Sequence, residues 1–174
     1  VLARLDHPNL PKVSDFFSNG PRDYLVMDYV PGRDLRELMM ESRRTKIFLD
    51  ERQVLGWASQ LADALAYLHS QEPPIIHRDI KPSNLKITPN GLIKLVDFGL
   101  VKTVLYPPPP VDGGSETERL LTREHILGTP DYMSPEQAGT GAEDIDTRSD
   151  IYSLGVILYQ LITGWLPFEA NTLR

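Results

Sequence analysis

Residues 151–162 read Ile-Tyr-Ser-Leu-Gly-Val-Ile-Leu-Tyr-Gln-Leu-Ile, apolar on nearly every side of a helix. A surface helix carries one apolar stripe; a helix that is apolar all round belongs in the middle of a core. The segment therefore predicts a fold built around it, with Gly164 as its stop. It is not a membrane span. Ser153, Gln160, Thr163 and Gly164 interrupt the stretch 151–168, and no apolar run reaches the roughly 18 residues that spanning needs.

The clearest covering element is a second helix. Asp50 and Gln53 stand at N-cap and N3, a variant of the capping box. Val54, Ala58, Leu61, Ala62, Leu65 and Leu68 follow on one face of a 3.6-residue period, and Pro73-Pro74 ends it. Ile75-Ile76 then reads as the start of a short buried strand. Upstream, residues 10–17 and 24–28 are β-rich runs separated by Ser18-Asn19-Gly20-Pro21, an expected antiparallel pair. Pro31-Gly32 breaks the second run, and Asp34 caps a short helix through about Glu41. Downstream, residues 85–88 and 92–96 flank Pro89-Asn90-Gly91, a hairpin signal. A sheet-rich part followed by a helical part predicts an α+β fold. Residues 107–110 are four prolines, followed by Val-Asp-Gly-Gly-Ser-Glu-Thr-Glu, which reads as a surface loop.

Charge narrows the function classes. The 174 residues hold 18 basic and 24 acidic side chains, a net charge of −6, which argues against a nucleic-acid binder. The absence of cysteine excludes disulfide scaffolds, thiolate metal sites and thiol nucleophiles, and is compatible with a reducing cytoplasm. The chain opens on Val1 without a signal peptide, so a piece of a longer product is expected.

Two polar loops concentrate the chemistry: His77-Arg78-Asp79-Ile80-Lys81-Pro82-Ser83-Asn84 and Asp97-Phe98-Gly99. A carboxylate can orient an alcohol for attack. An ammonium can neutralise charge on a transferring phosphoryl oxygen. An amide oxygen and a second carboxylate are hard ligands suited to Mg²⁺. If Asp79, Lys81, Asn84 and Asp97 converge, they suit phosphoryl transfer, where positioning and electrostatics dominate. Either tripeptide alone is a common turn. Their joint spacing, with Asn84 five positions after Asp79 and Asp-Phe-Gly after a hairpin, is the catalytic-loop arrangement of protein kinases.

On those motifs the chain resembles a protein kinase catalytic domain, most closely the bacterial eukaryotic-like (Hanks-type) serine/threonine kinases. Further matches follow in order. His7-Pro8-Asn9-Leu10 resembles the turn into the fourth strand. Val26-Met27-Asp28-Tyr29-Val30 resembles the gatekeeper and hinge. Gly128-Thr129-Pro130-Asp131-Tyr132-Met133-Ser134-Pro135-Glu136 resembles the end of the activation segment. Ser149-Asp150-Ile151-Tyr152-Ser153-Leu154-Gly155 resembles the start of the central helix. The implied fold is a two-lobed kinase fold in part: residues 1–30 as the end of the small lobe and hinge, 31–174 as large lobe, and 97–136 as activation segment.

The resemblance implies roles. Asp79 would be the catalytic base, and Lys81 would contact the γ-phosphate of ATP. Asn84 and Asp97 would hold Mg²⁺. The backbones of Asp28 and Val30 would meet adenine, with Met27 as gatekeeper or simple core. Asp34 would approach the ribose or a basic substrate side chain, or serve only as a helix cap. Thr129 would bond near Asp79 and Lys81, and Asp150 would brace the catalytic loop through its backbone. Arg78 would pair with a phosphorylated activation-loop residue, Thr122 first, then Thr117 and Ser115. His77 is expected as a packing residue. His7, His69 and His125 show no partner pattern in the sequence, and Arg43, Arg44 and Lys46 read as a solvated patch.

The sequence also departs from the family. It contains no Gly-rich loop, third-strand lysine or helix-C glutamate, and it stops soon after Pro167-Phe168. The expectation is a piece truncated at both ends, marginally stable and inactive alone. Lys86 stands where the family usually has an aliphatic residue beneath adenine; its stem can pack there while the amine reaches solvent, and nucleotide binding can weaken. The implied function of the intact product is ATP- and Mg²⁺-dependent transfer to Ser or Thr hydroxyls of proteins, with activation-loop autophosphorylation. The resemblance admits a kinase dimer in the intact protein and a membrane anchor elsewhere in it. The rival reading is a pseudokinase or regulatory interaction domain, against which the intact Asp79, Asn84 and Asp97 argue. A small-molecule phosphotransferase is more distant, because residues 128–136 resemble a peptide-substrate platform.

Overall fold

The computed structural model describes residues 4–20, 22–97, 130–138 and 145–168. Strands β1 (Val13–Asn19) and β2 (Arg22–Met27) form the expected antiparallel pair, bulged between Val13 and Asp15. The first strand starts later than the apolar pattern implied. Pro11 has no N–H to donate, so Leu10 and Pro11 are buried ahead of the ladder. Pairing then continues to Asn19, where Gly20 turns the chain at φ 60°.

A second sheet has three strands where the hairpin signal implies two. Strand β3 (Arg33–Asp34) pairs with β4 (Leu85–Ile87), which pairs with β5 (Ile93–Leu95), all antiparallel. Two residues carry no readable alternation; β3 exists because β4 lies beside it. Gly32, at φ 116°, lets the chain make that approach, since a Cβ there would collide with the Ile87 carbonyl. The hairpin β4–β5 closes around Gly91 as expected.

Helix α1 (Leu35–Thr45) begins in a complete capping box. Asp34 Oδ1 accepts from Glu37 N–H at 2.9 Å and Glu37 Oε2 from Asp34 N–H at 3.3 Å. It runs a turn beyond Glu41 and stops at left-handed Lys46. Helix α2 (Glu51–His69) is capped by Asp50, whose Oδ2 accepts from Gln53 N–H at 3.0 Å. It ends at His69, before the prolines. Its buried face is Val54, Trp57, Leu61, Ala64, Leu65 and Leu68, while Ala58 is half-buried and Ala62 exposed. Alanine marks a stripe weakly; the indole of Trp57, donating to Gly91 O at 3.4 Å, rotates the face toward itself.

Residues 75–76 form no strand. Ile75 N–H donates back to Leu68 O at 3.0 Å, and no neighbouring strand offers a ladder. The polar loop 77–84 therefore follows a segment without regular structure that is tied by Ile75 to the end of α2. A short helix α3 (Pro135–Ala138) precedes α4 (Thr147–Thr163), which starts a turn earlier than the apolar run because Asp146 caps it. Gly164 closes it at φ 80°. Leu154, Val156, Ile157 and Leu161 of α4 enter the core with Leu61, Leu65 and Leu68 of α2 and with Leu85, Ile93 and Leu95 of the sheet. Burial is not all-round as expected: Ile151, Tyr159 and Ile162 are about half exposed. The fold is α+β, and no helix among the described residues is long and apolar enough to cross a membrane.

Candidate active site

The loop 77–84 lies beneath α4, and its backbone is fixed before its side chains act. Asp150, 1% exposed, accepts from His77 N–H and Arg78 N–H, each at 2.9 Å. Its Oδ2 also contacts His69 Nε2 at 2.8 Å. His69, which shows no partner pattern in the sequence, is thus tied to the same carboxylate as the loop. Nothing local in the sequence signals a pair 81 residues apart. His7 likewise has contacts: Nδ1 accepts from Asn9 N–H, and the ring stacks on Tyr67.

His77 is fully buried, as expected of a packing residue. Burial drives its imidazole below the usual histidine range, against the pull of Asp150, Asp79 and Asp97. Neutral, its Nδ1 accepts from Asp79 N–H at 3.4 Å. Arg78 between them sits at φ 65°, a left-handed conformation that costs a residue with a Cβ and persists only when its surroundings impose it.

The side chains then converge. Lys81 Nζ donates to Asp79 Oδ1 and Oδ2 at 3.0 and 2.9 Å. Asn84 Nδ2 donates to Asp79 O and Oδ2, both at 2.9 Å. The Asn84 carbonyl accepts from Val96 N–H at 2.8 Å, which sets Asp97 one residue from the cluster. Asn9, in the His-Pro-Asn turn, holds β5 in place by accepting from Leu95 N–H at 2.8 Å and donating to Ile93 O at 2.7 Å.

Mg²⁺ suits this donor set. Both Asn84 amide protons go to Asp79, so Oδ1, with only a long 3.5 Å contact from Ser83, is the atom left for a hard cation. Asp97 is exposed at the end of β5, in a left-handed conformation. No three His, Cys, Asp or Glu among the described residues cluster as metal ligands, but Mg²⁺ commonly takes one or two protein ligands and completes its shell with waters and phosphates.

A second group forms at the exit of β2. Met27 is half-buried and Val30 buried, and Asp28 N–H donates to Lys12 O at 2.9 Å. Asp34, the α1 cap, stands opposite Lys86 in the β3–β4 register. The Lys86 amine does not simply reach solvent: it lies 3.5 Å from Val30 O and 5.8 Å from the Tyr29 ring centre. Arg43, read as part of a solvated patch, donates to Gly164 O at 3.0 Å. Thr129, Thr122, Thr117, Ser115 and His125 lie outside the described residues.

Sequence comparison extends the picture. The sequence model of the protein kinase domain family matches residues 1–174. Serine/threonine-protein kinase pkn3 of Myxococcus xanthus is 38% identical over 177 residues, covering 99% of this chain and 30% of that protein. A probable serine/threonine-protein kinase of Clostridium acetobutylicum is 34% identical, covering 99% and 23%. Serine/threonine-protein kinase PknB of Mycolicibacterium smegmatis is 36% identical, covering 98% and 25%. The chain spans between 23% and 30% of the length of these three relatives.

Proposed function

Because this chain belongs to the protein kinase domain family, we propose that the intact protein carrying it is a protein serine/threonine kinase that moves the γ-phosphoryl group of ATP to Ser or Thr hydroxyls. One observation carries this reading: Asp79, Lys81 and Asn84 form a single hydrogen-bonded cluster in a loop pinned by Asp150.

The cluster divides the work by atom. Asp79 Oδ2 accepts from both Lys81 and Asn84, whereas Oδ1 accepts from Lys81 alone. A carboxylate oxygen accommodates about two donors, so Oδ1 is the atom that orients the acceptor hydroxyl and takes its proton as the oxygen–phosphorus bond forms. ADP leaves as the bond to the γ-phosphorus breaks. The Lys81 ammonium, 2.9 Å from Asp79, can swing to the phosphoryl oxygens and offset their charge. Asn84 Oδ1 and the Asp97 carboxylate would hold Mg²⁺, which supplies charge neutralisation at the phosphates. Asp28 and Val30 would meet the base, with Met27 behind it and Asp34 at the ribose or a basic substrate side chain. Thr129 would steady Asp79 and Lys81.

In this reading residues 1–30 close the small lobe, 31–174 belong to the large lobe, and 97–136 form the activation segment. Arg78 pairs with a phosphate added to that segment, on Thr122 ahead of Thr117 and Ser115, by autophosphorylation. The partners are ATP and Ser/Thr-bearing proteins, with pairing of kinase domains as one route to autophosphorylation; nucleic acid is not a partner. The domain works in the cytoplasm. These 174 residues by themselves transfer no phosphate, for want of the Gly-rich loop and strand lysine that cover ATP in the family.

The test is transfer of label from γ-labelled ATP to a generic protein acceptor by the intact protein, followed by phosphopeptide mapping. Phosphoserine or phosphothreonine in the acceptor, with Thr122 modified in the kinase, is the expected result. A protein that binds ATP and transfers nothing fits the pseudokinase reading.

Lys86 gives a separate prediction. In this reading the base would approach the Val30 backbone edge, whose carbonyl lies 3.5 Å from the Lys86 ammonium. Lys86→Leu removes that ammonium, and ADP should bind about threefold or more tighter, the scale of one modest hydrogen bond. Calorimetric titration with ADP measures it; unchanged or weaker binding would mean that the amine does not oppose the base.

A further inference from the structure

Gln137 faces the catalytic loop from the short helix α3. Its Oε1 accepts from Ser134 N–H at 3.2 Å and from Ser134 Oγ at 3.1 Å. Its Nε2 donates to Arg78 O at 2.9 Å. The first two contacts are half of a capping box, with Ser134 at N-cap, Pro135 at N1 and Gln137 at N3. The third has nothing to do with capping. It joins the helix that follows Tyr132 and Met133 to the residue immediately before Asp79.

Arg78 is the left-handed residue of the loop. Its N–H is taken by Asp150 of α4, and its C=O by Gln137 of α3. The peptide unit leading into Asp79 is thereby gripped on one side by Gln137, and the residue itself on the other side by Asp150. The α3 end of that grip is anchored independently. Ser149 Oγ donates to Glu136 Oε1 at 2.5 Å and holds that carboxyl below its ordinary range. Tyr132 is fastened to α4 through its hydroxyl, 2.6 Å from Gln160 Oε1, and through its carbonyl, which accepts from Ser153 Oγ at 2.7 Å. Gln137 therefore spans two parts of a site that must hold still relative to each other, the base and the segment beside it.

We propose that Gln137 is a positioning residue for phosphoryl transfer: its amide N–H, delivered to the Arg78 carbonyl, fixes the direction of the Asp79 carboxylate against the acceptor hydroxyl. This rests on the kinase reading above. The amide is suited to the task because it donates on one side and accepts on the other, so a single side chain satisfies both neighbours.

The discriminating variant is Gln137→Glu. Glutamate at N3 keeps, and by its charge strengthens, the capping contact with Ser134. It has no proton for the Arg78 carbonyl and faces that carbonyl with a negative oxygen. A residue that only caps α3 would tolerate the change. A positioning residue would not: kcat for a protein acceptor should fall about tenfold or more, as expected for an acceptor left unpaired. The KM for ATP should stay unchanged, because the β2 exit and Lys86 are untouched. Rates are counted per ADP-binding site in the intact protein, so molecules that fail to fold drop out of the comparison. Gln137→Met, which can neither cap nor donate, should lose kcat to a similar extent and lower the melting temperature as well. Gln137→Glu with kcat within twofold of the parent overturns the proposal. A parent protein that phosphorylates no Ser/Thr acceptor overturns the kinase reading instead, and is recognised before any variant is made.

Discussion

On the proposed kinase reading, Asp79→Asn should silence the protein while leaving it folded: kcat for transfer to a protein hydroxyl should fall about a thousandfold or more, at the upper end of what one general base contributes. The substitution keeps the shape of the side chain and removes the carboxylate proposed to take the proton. It also reverses part of the local bonding. Lys81 Nζ now lies within about hydrogen-bond reach of both carboxylate oxygens, and an asparagine NH₂ would turn a donor toward that ammonium. Asn84 can keep its contact with the Asp79 backbone carbonyl, so the loop holds. ADP should bind with unaltered affinity, since none of the groups at the β2 exit touches Asp79. Labelled-phosphate incorporation and ADP titration, on the same preparation, separate the two effects. Residual transfer above about a tenth of the parent rate would show that Asp79 is not the base.

Asp150→Ala should produce the largest loss of stability. The carboxylate is buried and serves three groups at once: His77 N–H, Arg78 N–H and His69 Nε2. Alanine removes the Asp150 contact from the buried His77 N–H, the part-buried Arg78 N–H and His69 Nε2, and leaves a small void. Each buried unpaired polar group costs about 1–3 kcal/mol, and losing one partner of a buried charged network about 3–5 kcal/mol. The expected destabilisation is about 3 kcal/mol or more, read as a lower midpoint in urea denaturation at unchanged slope. Asp150→Asn keeps one acceptor oxygen but offers a donor to the second amide, so it should lie between parent and alanine. His69→Ala, which spares both loop amides, should cost less than either. If Asp150→Ala melted with the parent, the loop would owe its shape to something else.

The sequence displayed the chemistry more clearly than the scaffold beneath it. Asp79, Lys81 and Asn84 fall within six residues of chain, so their meeting is nearly a local matter. The Pro-Asn-Gly turn signals the hairpin that returns the chain beside Asn84 just before Asp97. Longer-range pairings left weaker marks. Asp150 could be assigned to the loop only through resemblance, and its bond to His69 bridges two helices that touch in the fold alone. The two-residue strand β3 has no period to detect. The apolar period of α2 runs through alanines, which pack anywhere, and misses Trp57, whose bulk sets the face. Ile75 and Ile76 have strand composition but no partner strand, so composition misled. Gln137 carried a signal that was there to use: Ser-x-x-Gln ahead of Gln137 is capping-box spacing, although its second bond, to a carbonyl 59 residues away, is not.

The braces on Arg78 arrive late in the chain. Gln137 lies 59 residues and Asp150 72 residues downstream of it. At ribosomal speeds of about 5–20 residues per second, the loop is in existence for about 4–15 s before the second brace is made. During that interval the nascent polypeptide owns Asp79, Lys81 and Asn84, yet neither the Asp150 nor the Gln137 contact to Arg78 has formed. On the kinase reading, competence is deferred by chain order until α4 has been synthesised, and a ribosome stalled before Asp150 would display the loop without those two contacts.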